Sequence, residues 1–240
     1  MVQINSDAAA ALLQQLEGKS ETEAIVFLAA RFPGEVTFST SFSMEDQVIT
    51  DLISCSGAGV SCFTLDTGRM FPETYSTWTR TSERYNMPIV PYYPDTTLLE
   101  TFIGTNGPDA FYRSPELRSE CCRIRKVIPL KRALTGKKIW ITGLRAAHSP
   151  GRNHMQLLEW DETNQLIKYQ PLLHWTNEEV STYIHSAAIP YNPLHDKGFV
   201  SIGCAPCTRA IQPGEDFRAG RWWWEDNSKK ECGLHTHKAN

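Results

Sequence analysis

The chain has 240 residues, 41% of them apolar and 21% charged, enough for one large domain or two small ones. Its net charge of −3 provides no basic field for nucleic acid, so any anion site must be built locally from a few cations. No stretch approaches the ~20 apolar residues of a membrane span, and the first ten residues carry no basic leader, so the chain reads as cytoplasmic.

Residues 6–31 read as helical, with Ser6 or Asp7 as a cap and Ser20 with Glu23 as a capping box ahead of Ile25, Val26 and Leu28. Pro33-Gly34 closes that region. A strand over 35–39 runs into the hydroxyl-rich turn Ser39-Thr40-Ser41-Phe42-Ser43, and a helix follows over 44–53. Glu45 and Asp46 read as acids favoured at that helix's N-terminus. A second strand, 60–65, ends in Asp66-Thr67-Gly68. Pro72 opens a helix that runs to Tyr85, and a third strand covers 89–93. After an irregular stretch come a helix over 120–134 and a strand over 138–142 ending at Gly143. Residues 166–170 add a strand, Thr176 or Asn177 caps a helix to Ala187, and turns dominate from Pro190 onward.

This alternation predicts an α/β fold, a parallel twisted sheet with helices on both faces and ligands beyond the carboxyl ends of the strands. The simplest division is one domain over 1–224 and a C-terminal tail over 225–240.

Seven cysteines in a reducing compartment call for a reason other than disulfides. Cys204-Ala205-Pro206-Cys207 can converge on a turn. Adjacent Cys121 and Cys122 point ~100° apart on a regular helix, so they reach one centre only at a helix end or a distorted turn. On the residues alone an iron–sulfur cluster, a zinc ion and unligated thiols all stay open. Arg125 and Lys126 stand four residues beyond the two cysteines, on their faces of a helix. Cys232 lies in a polar segment between Lys230 and His235, a setting that lowers a thiol's pKa. Arg218 and Arg221 can grip a phosphate or sulfate with forked hydrogen bonds, and Arg145 and Arg152 offer further anion contacts. The tryptophans 222–224 read as packing, and Cys55 and Cys62 as small core residues. The histidines show no metal spacing.

Taken together, Cys121-Cys122 with Arg125-Lys126, Cys204-x-x-Cys207, and Glu231-Cys232-Gly233-Leu234-His235 resemble the assimilatory adenylyl-sulfate (APS) reductases, over about residues 35–237. The resemblance implies an adenine-nucleotide α-hydrolase-like fold whose modified pyrophosphate loop is 39–46, without the Gly-Gly of ATP-cleaving relatives. It implies a [4Fe–4S] cluster on Cys121, Cys122, Cys204 and Cys207, and Cys232 as nucleophile assisted by His235 and Lys126. Substrate contacts are expected from Ser39, Ser41, Phe42 and Ser43, from Leu65, Asp66, Thr67 and Gly68 at the adenosine, and from Lys126, Arg152, Arg218 and Arg221 at the anion. Ser43 stands where many of these reductases have glycine, so a positive φ there would strain it. APS is the expected substrate and a thioredoxin or glutaredoxin-like protein the reductant, with no nucleic acid or membrane partner and a homo-oligomer left open. The rival readings are a PAPS reductase with the same chemistry, an ATP-cleaving sulfur-transfer enzyme, and a non-enzymatic zinc module.

Overall fold

A computed structural model describes residues 4–146 and 155–225. In chain order the elements are α1 (Ser6–Leu16), α2 (Glu21–Arg31), β1 (Val36–Ser39), α3 (Met44–Ser56), β2 (Ser61–Leu65), α4 (Pro72–Tyr85) and β3 (Ile89–Tyr92). They continue with α5 (Thr96–Asn106), α6 (Pro115–Cys122), α7 (Ile128–Leu134), β4 (Ile139–Ile141), β5 (Leu158–Asp161), β6 (Leu166–Tyr169) and α8 (Asn177–Ser186). The described residues fall into two compact units, one within Met1–Thr64, Glu73–Val90 and Leu134–Asn192, the other within Leu65–Pro72, Pro91–Ala133 and Pro193–Asn240.

The strands form one six-stranded sheet in the order β3-β2-β1-β4-β6-β5. Pairing of β1 with β2 and β4, and of β4 with β6, is parallel. β5 is antiparallel to β6, a hairpin that the sequence reading lacked. Four residues are too few to show a period of two. Its turn is set by Asp161, whose Oδ1 accepts from the backbone N–H groups of Thr163 and Asn164 at 3.0 and 3.1 Å. Order reverses between β1 and β4, the switch point at which such sheets bind ligands.

In the first unit the region 6–31 is two helices. Asn5 caps α1, in place of Ser6 or Asp7, by accepting from Ala8 N–H at 2.9 Å. The Ser20–Glu23 capping box opens α2 and a Thr176–Glu179 box opens α8. Ile25 and Leu28 of α2, Val48 and Ile49 of α3, and Val180 and Ile184 of α8 pack with Phe38, Ile139, Ile141 and Ile167 of the sheet into one buried core.

The second unit departs further from expectation. α5 occupies the stretch read as irregular; four threonines, Gly104 and a single buried side chain, Phe102, weaken its helical signal. The helix expected over 120–134 begins at Pro115, with Ser114 as cap, and is interrupted by a π-helical turn over Arg123–Val127. Phe102, Ala110, Phe111, Ile124 and Trp222 surround Cys121, Cys204 and Cys207 in a second core.

Candidate cysteine centre and nucleotide loop

In the first unit, the loop after β1 is folded by its own hydroxyls. Thr40 N–H bonds to Phe63 O at 2.8 Å, carrying the β1–β2 pairing one step further. Phe42 N–H donates to Thr40 Oγ1 at 3.0 Å, and the N–H and Oγ of Ser41 both donate to Asp46 Oδ2 at 2.7 Å. Ser43 is the N-cap of α3, with φ −65°, and its Oγ accepts from Asp46 N–H at 3.2 Å. The strain expected at Ser43 is therefore absent. It falls one residue earlier, on Phe42 at φ +61°, a left-handed conformation that costs an L-residue roughly 1–2 kcal/mol. Burial of its ring, stacked on Trp78 at 5.7 Å, offsets that cost. Ser39 Oγ accepts from Trp140 Nε1 at 2.8 Å.

Glu45 and Asp46 do more than complement a helix end. Both are buried. Burial lifts the Asp46 carboxyl to about 6 against the lowering effect of the Ser41 hydrogen bonds, with Glu45 adding to the rise. Glu45 Oε1 accepts from Arg145 Nε at 3.0 Å and Nη2 at 2.7 Å, while Arg145 also donates to Trp175 O and Asn177 Oδ1. The fork of Arg145 is thus spent inside the unit, which corrects its expected role as an anion contact. Gly143, just beyond β4, lies against Asp46; a Cβ there would collide with its carboxylate, so only glycine lets α3 approach the strand end this closely.

In the second unit, Cys121, Cys122, Cys204 and Cys207 line one small pocket. Cys121 and Cys122 are the last residues of α6, directly before the π turn that distorts the helix. Cys204 and Cys207 flank a 3-10 turn, with Cys207 N–H on Cys204 O at 2.9 Å, Ala205 N–H on Arg69 O at 2.8 Å and Tyr112 Oη donating to Pro206 O at 2.7 Å. Arg69, Arg118, Arg125 and Lys126 share the cavity wall. A Cβ on Gly203 would collide with the guanidinium of Arg221, so this glycine admits the arginine beside Cys204.

The thiols divide electrostatically. Burial opposes a Cys204 thiolate, but Lys126, a hydrogen bond from Thr67, Arg221 and Arg125 outweigh it and hold its pKa below the usual thiol value. Burial pushes Cys207 up to about 12, Cys204 adding to the rise and Lys126 opposing it. Burial also raises Cys121, against the pull of Arg125. The Nε groups of Arg125 and Arg221 and the indole Nε1 of Trp222 are buried without a hydrogen-bond partner among the described residues. Buried N–H groups of this kind call for an acceptor, and an anionic group held by the four thiols would supply one. Among the described residues no three His, Cys, Asp or Glu side chains converge closely enough to hold a single metal ion.

Thr67 was expected at the adenosine. Its hydroxyl accepts from Arg69 N–H at 3.2 Å and stands 3.3 Å from Cys204 Sγ, and its carbonyl accepts from Arg125. Nothing in the sequence pairs Thr67 with a residue 137 positions away. Asp66 folds its own turn by accepting from Gly68 N–H at 2.8 Å, with Gly68 at φ +68°. Leu65 ends β2, half-buried. Lys126 and Arg218 are half-buried, Arg221 is buried, and both arginines lie over the Trp222 ring, at 6.0 and 4.8 Å. Trp222 is buried as expected, whereas Trp223 is 40% exposed. Cys62 is buried, but Cys55 is exposed, which corrects its assignment to the core. Arg152, Cys232 and His235 lie outside the described residues.

A phosphoadenosine phosphosulfate reductase domain model matches residues 35–210. The chain is 46% identical to the adenosine 5′-phosphosulfate reductase of Sinorhizobium fredii over 88% of this chain and 84% of that protein. It is 42% identical to the one from Burkholderia cepacia over 97% and 93% of the two chains. Among solved structures, the phosphoadenylyl-sulfate (PAPS) reductase from Candida auris in its phosphate complex superposes with a TM-score of 0.72 at 26% identity, over 88% of this chain and 99% of that one. Yeast FAD synthetase, at 17% identity and a TM-score of 0.54 over 88% and 70%, shares the fold.

Proposed function

Because the chain belongs to the phosphoadenosine phosphosulfate reductase family, we propose that it reduces adenosine 5′-phosphosulfate to sulfite and AMP, in the cytoplasm, as part of sulfate assimilation. It is an oxidoreductase acting on sulfur, like the relatives named for that reaction. One observation carries the choice of APS: four cysteines around a single cavity with Lys126 on its wall.

Cys121, Cys122, Cys204 and Cys207 would hold a [4Fe–4S] cluster, which when bound supplies a compact, delocalised negative charge. The Cys232 thiolate attacks the sulfur of APS, forming an S–S bond as the S–O bond to phosphate breaks and AMP leaves. A phosphate is a good leaving group, so no strong acid is needed. The product is S-sulfocysteine. A thiolate of thioredoxin, or of a glutaredoxin-like protein, then attacks Cys232 Sγ and releases sulfite, and its second thiol resolves the mixed disulfide. The two thiols deliver both electrons. Lys126, Arg218 and Arg221, with Arg152, would offset repulsion between thiolate and sulfate and stabilise the charge of the transition state. His235 would favour or orient the thiolate. The loop after β1, with the N-terminus of α3 behind it, would take part of the nucleotide.

The test is intact mass after anaerobic incubation with APS and no reductant. The wild type should gain one SO3 on Cys232, and Cys232→Ser should bind APS without gaining it; an adduct on that variant removes the nucleophile assignment. A higher kcat/KM on PAPS than on APS in the same assay would transfer the reading to PAPS reduction.

A further inference from the structure

Arg118 lies on α6 four residues before Cys122, on the same helix face. Its Nε and Nη2 make a forked pair with Glu225, at 2.9 Å to Oε1 and 3.0 Å to Oε2. The two side chains are only 4% and 6% exposed. The guanidinium also stacks over Trp222 at 4.7 Å and interacts with the Cys122 thiol. Glu225 is held from a second side: its N–H bonds to Trp222 O at 2.9 Å, and Trp222 N–H bonds to Cys207 O at 3.2 Å. One end of Glu225 is therefore fixed to the helix of the first cysteine pair and the other to the turn of the second.

Glu225 is also the residue from which the chain leads to Cys232, seven positions on. Seven residues span at most about 25 Å, so where Glu225 sits limits where the thiol can reach. A buried charged pair is seldom retained for stability alone, because desolvation cancels most of the Coulomb gain. We propose that the Arg118–Glu225 pair is a positioning device for the reaction proposed above: it anchors the root of the Cys232 segment to both cysteine pairs and so sets the effective concentration of the thiol at the substrate sulfate. The inference rests on the reading above that Cys232 is the nucleophile.

The experiment compares full-length, anaerobically purified wild type with Glu225→Gln, Glu225→Asp and the double variant Arg118→Met/Glu225→Leu, which removes the pair without leaving one buried charge alone. Each is mixed with APS in the absence of reductant, and the maximal rate of SO3 transfer, the APS concentration at half-saturation and the iron and sulfide content are measured. For Glu225→Gln and the double variant, the maximal rate should fall about tenfold or more. Half-saturation and iron and sulfide content should stay at wild-type values, and Glu225→Asp should recover part of the rate. A maximal rate at the wild-type level in both overturns the positioning role. So does a rate loss that tracks loss of iron and sulfide, since the pair would then serve only the cysteine ring. No adduct on wild-type Cys232 is a different failure, that of the nucleophile reading itself.

Discussion

The two units differ in which buried polar groups lack a partner among the described residues. In the first, Glu45 and Arg145 cancel each other, and every polar arm of Arg145 is bonded to Glu45, Asn177 or Trp175. In the second, Arg69, Arg118, Arg125 and Lys126 line a cavity with four thiols, and buried N–H groups of Arg125, Arg221 and Trp222 have no acceptor among the described residues. The polar atoms left over in the first unit are of another kind: the oxygens of Gln47, Thr142 and Gln170. A bonded network such as that of Arg145 fixes a fold; donors left unmet among the described residues beside four thiols leave room for an acceptor.

The comparison is sharpest at the cysteines. Cys204→Ser and Cys121→Ser should each abolish bound iron and acid-labile sulfide after anaerobic purification, while Cys55→Ser retains both. Full iron and sulfide in either of the first two variants would end the ligand reading. In the first unit, Arg145→Met leaves Glu45 buried without its cation and should cost about 3–5 kcal/mol in urea unfolding followed by circular dichroism. A loss below about 1 kcal/mol would mean that the pair contributes little.

Asp46 supplies a pH-dependent version of the same contrast. Its folded pKa is raised to about 6 by burial, so its contribution is fully present below the ordinary carboxylate value near 4 and is lost as pH rises through 6. Asp46→Asn should therefore gain stability relative to wild type on going from pH 4 to 6, by up to roughly 3 kcal/mol, and level off above. An offset that is constant across that range would show that the carboxyl titrates normally. The smallest effect is expected at Thr67. Thr67→Val keeps the shape and removes the hydroxyl beside Cys204, for a loss of about 1 kcal/mol, read as a lower melting temperature of the iron-loaded protein. An unchanged melt would make that contact incidental.

Much of this was legible in the chain. The capping box at Ser20, Pro72 at a helix start and the β-branched strands each act through neighbours in sequence, so their elements could be read locally. Cys121-Cys122 also announced its own geometry, because two adjacent side chains cannot share a centre on an unbroken helix. Less legible were β5, which is only four residues long, and α5, whose composition is a poor helix former. Arg145 was read as an anion contact, and Ser43 as a position that a positive φ would strain. What decided otherwise was a carboxylate 100 residues away in the first case and a backbone rotation one residue earlier in the second.

The amino-acid sequence by itself determined the alternating α/β order, the four metal-binding candidates and the family to which they belong, because those depend on residue type and spacing. Only the tertiary structure decided which partner each charge meets. Arg145 and Arg118 are alike in sequence, each a cation near a turn or helix end. One is matched within the core of its own unit, and the other is matched at the root of the Cys232 segment. A guanidinium's role follows from the partner that packing brings to it, and partners separated by a hundred residues leave no local trace.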